Sequence, residues 1–487
     1  MVAVGFSLAP ANVAAADKTT VAVRVVPVFP LTRYAGRGAV GTMVPASGST
    51  VSRETALASL VRGKLENSLL GGEPSGKALI SLGGPPATVT IYVALPRRGK
   101  HHNLARYPIA IVGDGYHGLL RSSATKIPGL VSIADVAPTV LALRRGEKPI
   151  LTSSAASDAP RVVEETNARL DAAHHSRKKT NRTLIGLVLG FAALAWLLRS
   201  RFFARASLIA VPVTVLASAI AAALHVEHGI RWWTGAIALG LVVPLAFLRG
   251  RLEAVALAVP LVAYAVFLAV SPETVSLAAL GPHPEGGGRF YGMTNQIETL
   301  LLGPALALGM LTALPLLAPV ALASLIVVGW SRIGADGGGL IVYAAGFATL
   351  ALLRTGARLT AARAALAAAG VIAVGLVLVG LDALTGGSSH VTHAVGGGPG
   401  PLFSDLGHRL HLSWRGIVNK RDHLEIALVS LLTLVALALI RPRSRTLDSL
   451  LVALGVSLLV NDSGFDVLRF GALVAAAVFT WASIEGQ

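Results

Sequence analysis

The sequence predicts an α/β extracytoplasmic domain followed by an all-α polytopic membrane domain of about ten or eleven transmembrane helices. Three observations lead there: the overall apolarity, its uneven distribution, and the placement of the arginines. Of 487 residues, 53% are hydrophobic and 14% charged, with mean hydropathy +0.67. No ordinary soluble domain has that balance. Residues 18–150 are mixed in polarity, 151–182 form a charged helical connector, and 183–484 are a succession of apolar runs cut by short Arg- or Gly-rich breaks. Residues 1–17 have a short apolar stretch and an A-x-A-like end but no basic n-region, the pattern of a weak or trimmed signal segment. The chain has no cysteine, which excludes disulfides and thiolate metal sites. Its net charge of +17 lies in clusters between apolar runs, a pattern of membrane orientation and not of nucleic-acid binding.

In the first domain, "TTVAVRVVPVF", "ATVTIYVALP" and "YPIAIVGDG" read as strands, while "SRETALASLVRGKLENSLL" and "SIADVAPTVLALRRG" read as helices. Ser52 with Glu54 and Thr55 marks one helix start, and Asp135 with Pro138 another. Strands alternating with helices predict a layered α/β fold.

Residues 107–143, "YPIAIVGDGYHGLLRSSATKIPGLVSIADVAPTVLAL", resemble the carboxy-terminal part of alkaline-phosphatase-superfamily domains. Residues 48–63, "GSTVSRETALASLVRG", are similar to the region where that superfamily places a Ser or Thr nucleophile at a helix start. The chemistry the resemblance implies needs carboxylates and histidines on two divalent metals. Here the first strand ends in "VVPVFPL" without Asp, and "ALPRRGKHHNLARYP" stands where an Asp-His pair is expected. Asp114 and His117 belong to a glycine turn. The expectation is a metal-free domain without phosphatase activity, kept as a binding or structural module. The basic cluster Arg97, Arg98, Lys100, His101, His102 and Arg106 is either a solvated loop or a surface for anionic lipid or glycan.

Runs long enough to cross a ~30 Å hydrocarbon core fall near 183–199, 206–225, 233–248, 252–270, 294–314, 315–332, 337–354, 361–381, 424–440, 447–461 and 467–484. At "LTALPLLAP", Pro315 and Pro319 fit a tight hairpin or broken helices. Arg199, Arg201, Arg205, Arg249, Arg251, Arg354, Arg358, Arg363, Arg441, Arg443 and Arg445 all fall in loops on one side. With that side cytoplasmic, the protein sits in the plasma membrane with its first domain extracytoplasmic. The Gly-rich and polar segments then converge on the outer face.

"GGGRFYGMTNQIETLLLGP", residues 286–304, enters the membrane there. Arg289 sits at headgroup level, and Asn295 and Glu298, at i and i+3, share one helix face. An ionisable group at that depth costs a few kcal/mol unless it faces a cavity or partner. Glu298 is therefore a candidate functional group, with Arg289 or Arg332 as partner; the competing reading is a purely structural pair beneath a snorkelling Arg289. In "SRIGADGGG", Arg332 and Asp336 flank a Gly-rich turn whose amides suit either an anion or close helix packing. The 382–423 segment supplies His390, His393, His408, His411, Arg409 and Arg415, with His408, His411 and Arg415 on one side of a short helix. Their spacing is not that of a metal site, and no cofactor is implied. "NDSGFD", with Asp462 and Asp466, completes the set.

"RFYGMTN", "WSRIGADGGG" and the 382–423 segment are similar to elements of O-antigen ligases and polymerases, which act on lipid-linked sugars. The resemblance implies a polyprenyl-linked or glycan substrate whose phosphates are held by Arg289, Arg332, Arg409 and Arg415 with Asn295. It implies catalytic roles for Glu298, Asp336 and a base among His390, His393, His408 and His411. Membrane lipid is the expected partner. Three readings follow: an envelope glycosyltransferase or ligase, a transporter or flippase with Asn295, Glu298 and Asp336 along its path, and a non-catalytic binding or assembly factor.

Overall fold

A computed structural model describes residues 19–65, 76–85, 87–356, 360, scattered positions between 362 and 377, and 411–486 without 412 and 419. Most of the predicted span at 361–381 and most of the 382–423 segment, and with it His390, His393, His408 and Arg409, lie outside the described residues.

The first part is a mixed α/β layer structure. Its strands are β1 (Val21–Val26), β2 (Gly38–Val44), β3 (Thr50–Val51), β4 (Val89–Ala94), β5 (His101–His102), β6 (Tyr107–Gly113), β7 (Gly118–Ser122), β8 (Leu130–Ser132) and β9 (Leu151–Ser154). The main sheet runs β1-β4-β6-β2-β7-β9, with β8 also pairing with β2, and parallel and antiparallel neighbours are mixed. Alternation along β6 divides the core. Ile109 and Ile111 pack with Ala56 and Leu60 of α2 (Arg53–Arg62) and with Val136 and Val140 of α3 (Val136–Arg145). Ala110 faces the other way, toward Tyr34 of α1 (Thr32–Ala35) and Val163. Ser52 caps α2 as expected, its Oγ accepting from Thr55 N, and Gly63 at φ +64° ends the helix well before residue 70. Asp135 does not cap α3 with its side chain; it closes a capping box with Ser132 around the preceding 3-10 turn.

The second part is helical. The predicted connector and first span are one helix, α4 (Ala159–Leu198), whose 40 residues extend about 60 Å. No Gly or Pro interrupts it between Arg161 and Ile185, so nothing in the sequence separates connector from span. There follow α5 (Arg201–Ala223), α6 (Ile230–Ala246), α7 (Leu252–Val270), α8 (Pro272–Ser276), α9 (Asn295–Leu311), α10 (Leu314–Gly329), α11 (Gly337–Thr355), α12 (Arg421–Leu439), α13 (Arg445–Val460) and α14 (Gly464–Glu485). Pro315 lies in the first turn of α10, so α9 and α10 are separate helices joined by a tight turn.

Among the described residues six helices, α4, α5, α7, α11, α12 and α14, are long and apolar enough to cross a membrane, and the chain is a multi-pass membrane protein. Their burial sorts them. The apolar window of α5 is 89% buried and that of α14 72%, against 22–28% for α4, α7 and α12. The first two are therefore the centre of the bundle, and the last three present apolar faces to lipid.

Candidate functional site

Three chain turns meet at the end of the bundle that carries the sheet domain. The first is the approach to α9, where Thr294 Oγ1 caps the helix by accepting from Ile297 N. The second is the α10–α11 turn, closed by Ala335 N donating to Trp330 O and Asp336 N to Val328 O. A Cβ at Gly334 would stand 2.3 Å from the carbonyl oxygens of Val327 and Val328, so the turn needs glycine there. The third is the α13–α14 turn, residues 461–463.

Glu298 is fully buried and Asp336 nearly so, at 3% exposure. Asp336 Oδ1 caps α11 by accepting from Gly339 N at 3.1 Å. Glu298 Oε2 accepts from Asn461 Nδ2 at 2.9 Å, and that amide also donates to Ser457 Oγ at 2.8 Å. Tyr343 hydroxyl donates to the Glu298 backbone carbonyl at 3.2 Å. A methyl group at Gly339 would lie 3.2 Å from both the Asp336 carboxyl carbon and Glu298 Cγ, so that glycine keeps the two acidic side chains close. The remaining oxygens, Glu298 Oε1 and Asp336 Oδ2, are buried without a hydrogen-bond donor. Arg289 Nη1 stands 3.7 Å from Asp336 Oδ2.

The predicted residues divide accordingly. Arg289, Asn295, Glu298 and Asp336 are brought together. Arg289 is spent largely on backbone, donating to Met293 O and, at 3.5 Å, to Gly334 O, which ties the approach loop to the α10–α11 turn. The partner of Glu298 is thus Asn461, and neither Arg289 nor Arg332 bonds its carboxylate. Asn295 Nδ2 donates to Asp462 Oδ1 at 2.8 Å on the exposed side of the site. Arg332 is exposed on the α10–α11 turn, and His411 and Arg415 are exposed on the segment before α12. That segment still touches the site, since Ser413 Oγ donates to Asn461 O at 3.0 Å and accepts from Gly464 N. Asn461, Ser457 and Tyr343 were not foreseen; the signal for Asn461 was an amide directly at the end of an apolar run, beside the acids of "NDSGFD".

The sheet domain is seated on the same segments. Asn103 Nδ2 donates to the carbonyls of Ala46 at 2.7 Å, Gly48 at 3.0 Å and Gly286 at 3.4 Å. Lys126 Nζ stands 3.6 Å from the centre of the Tyr291 ring and donates to Ser331 O at 3.3 Å. Glu285, 3% exposed, lies 2.7 Å from Arg177 Nη1 and 3.0 Å from His174 Nδ1, both on α4. Burial alone would raise its pKa; the His174 hydrogen bond and the Arg177 charge outweigh that and hold it at about 2.

Among the described residues no group of three His, Asp or Glu side chains is arranged to hold a metal ion. No family model, curated protein or solved structure matches the chain.

Proposed function

We propose that this protein is a transporter or flippase of a bacterial-type envelope membrane, driven by a proton or small cation exchanged at the Glu298–Asp336 pair. In this reading the bundle has ten or eleven spans, lies in the plasma membrane and carries the sheet domain on its outer face, as the arginine distribution argues. The observation that carries the reading is the pair of buried carboxylates, each with one oxygen lacking a donor. Such groups are costly inside a membrane unless they hold a proton or cation. Three acids, Glu298, Asp336 and Asp462, converge at the site, and the Arg289 guanidinium approaches only Asp336, at 3.7 Å, which favours a cation over a phosphate. Burial also suits a small ion better than a lipid-linked sugar, because Glu298 has no solvent exposure.

The Asn295–Asp462 contact supplies a polar step between the exposed end of the site and Glu298, one helical turn further in. Proteoliposomes with an internal pH-sensitive dye test the reading: the wild-type protein takes up protons under an imposed potential, and Glu298→Gln slows uptake at least about tenfold. Equal rates would exclude Glu298 as the carrier.

A second reading, an envelope glycosyltransferase or ligase, draws on Arg289, Arg332 and Lys126 gathered at one mouth. There Glu298 and Asp336 would act on the acceptor of a polyprenyl-linked donor, with His408 or His411 as base. Loss of surface polysaccharide in Arg332→Ala, with proton uptake intact, would favour this reading over the first.

A further inference from the structure

The basic residues on the domain side of α4 have no role in the site above. Arg177 is neutralised by Glu285, but Lys178, Lys179 and Arg182 are exposed. They fall within about 8 Å of Thr183, where the apolar stretch of α4 begins, by the rise of an α-helix. This level is the headgroup layer, a few ångströms thick at each side of the hydrocarbon. Asn181 fixes it independently: its Oδ1 accepts from Gln296 Nε2 at 2.8 Å, so the basic turn of α4 is level with the start of α9.

Orientation does not account for these charges. Arg199, Arg201 and Arg205 already mark the opposite end of the same span, and the positive-inside rule needs them at one end only. On the neighbouring α14, which packs along α4 through Trp196 Nε1 donating to Thr480 Oγ1 at 3.2 Å, Arg469 lies within Coulomb reach of Arg182. Asp466 offsets the charge of Arg469, while the two guanidiniums repel each other. Two like charges at one level on adjacent helices are relieved by an anion placed between them.

We propose that Arg182, Lys179 and Arg469, flanked by Lys178, bind the phosphate of an anionic phospholipid headgroup in the leaflet adjoining the sheet domain. Guanidiniums suit the oxygens of a phosphodiester through paired N–H donors, and lysine adds a point charge. The neighbouring apolar face of α4, with Leu189, Leu194 and Leu197 exposed, would accept the acyl chains.

Native mass spectrometry of the full-length protein with phosphatidylglycerol, phosphatidylcholine or inorganic phosphate tests the site. The wild type is expected to retain phosphatidylglycerol and to release phosphatidylcholine. The double variant Lys179→Gln/Arg182→Gln should lose retention by roughly 25-fold, about fivefold for each charge removed at a membrane surface. Lys148→Gln, on an exposed turn of the sheet domain, should bind as the wild type does. Equal retention of both lipids, or undiminished phosphatidylglycerol retention in the double variant, would overturn the proposal. Displacement of phosphatidylglycerol by millimolar inorganic phosphate would overturn the lipid assignment in favour of a free-anion site.

Discussion

Asn461 and Glu298, 163 positions apart, are joined by a 2.9 Å hydrogen bond from the amide Nδ2 to the carboxylate Oε2, with both residues buried. The bond fixes the α13–α14 turn against the first turn of α9. It also leaves Glu298 Oε1 without a donor, and the proposed exchange of a proton or cation turns on that oxygen.

Removing the amide should therefore be felt mainly through Glu298. Asn461→Ala is expected to cost about 2 kcal/mol in the wild-type background, because it leaves a buried carboxyl oxygen without its donor. The cost should be smaller in a Glu298→Leu background. Thermal denaturation of the four proteins in one detergent gives the cycle, and equal costs would mean that the two side chains are not coupled.

Gly339 separates Glu298 from Asp336. Gly339→Ala would place a methyl 2.7 Å from Val328 Cγ1 and 3.2 Å from both acidic side chains. Overpacking of this kind costs about 1–3 kcal/mol. Gly190→Ala on α4, where a methyl meets nothing within 4 Å, should instead stabilise by about 0.5–1 kcal/mol. Melting temperatures shifting in opposite directions would support both assignments.

Asp135 gives the sheet domain a pH dependence of definite sign. Burial raises its pKa to about 6, against the hydrogen bonds from Ser122 Oγ and Ser132 N, which act to lower it. A raised carboxyl pKa means that the folded state holds the proton more tightly. The stabilisation is full below about pH 3.8 and is lost as pH rises through about 6, by about 3 kcal/mol in all. Hydrogen-exchange protection of residues 130–140 in the full chain should fall across that window, and Asp135→Asn should flatten the fall.

Glu285 acts with the opposite sign. Its carboxylate, held at about 2 by His174 and Arg177 against burial, contributes stability above about pH 4.5 that is lost as pH falls toward 2. At pH 7 Glu285→Gln should cost roughly 3 kcal/mol in the attachment of the 282–293 loop to α4. Faster proteolysis in that loop, with the helices still protected, is the expected readout.

The α/β character, the helical second part and the acids at 298 and 336 were legible because each is a local signal. A carboxylate inside an apolar run stands out wherever the chain places it. Strand β2 was not legible. All seven of its residues are buried, yet it begins with Gly38 and contains Gly41, whose methyl would meet Gly129 O at 2.9 Å, so close packing removed the β-branched pattern that marks a strand. The single helix α4 was divided in two because polarity changes near residue 183 while helicity does not. The pairing of Glu298 with Asn461 could not be read from either segment, since it depends on three turns converging from distant parts of the chain.

The most direct measurement is infrared difference spectroscopy of the reconstituted protein during a shift from acidic to alkaline pH. The proposed exchange predicts a protonated-carboxyl carbonyl band in the wild type that disappears on alkalinisation, is missing in Glu298→Gln and moves in frequency in Asn461→Ala. An identical band in wild type and Glu298→Gln would contradict it.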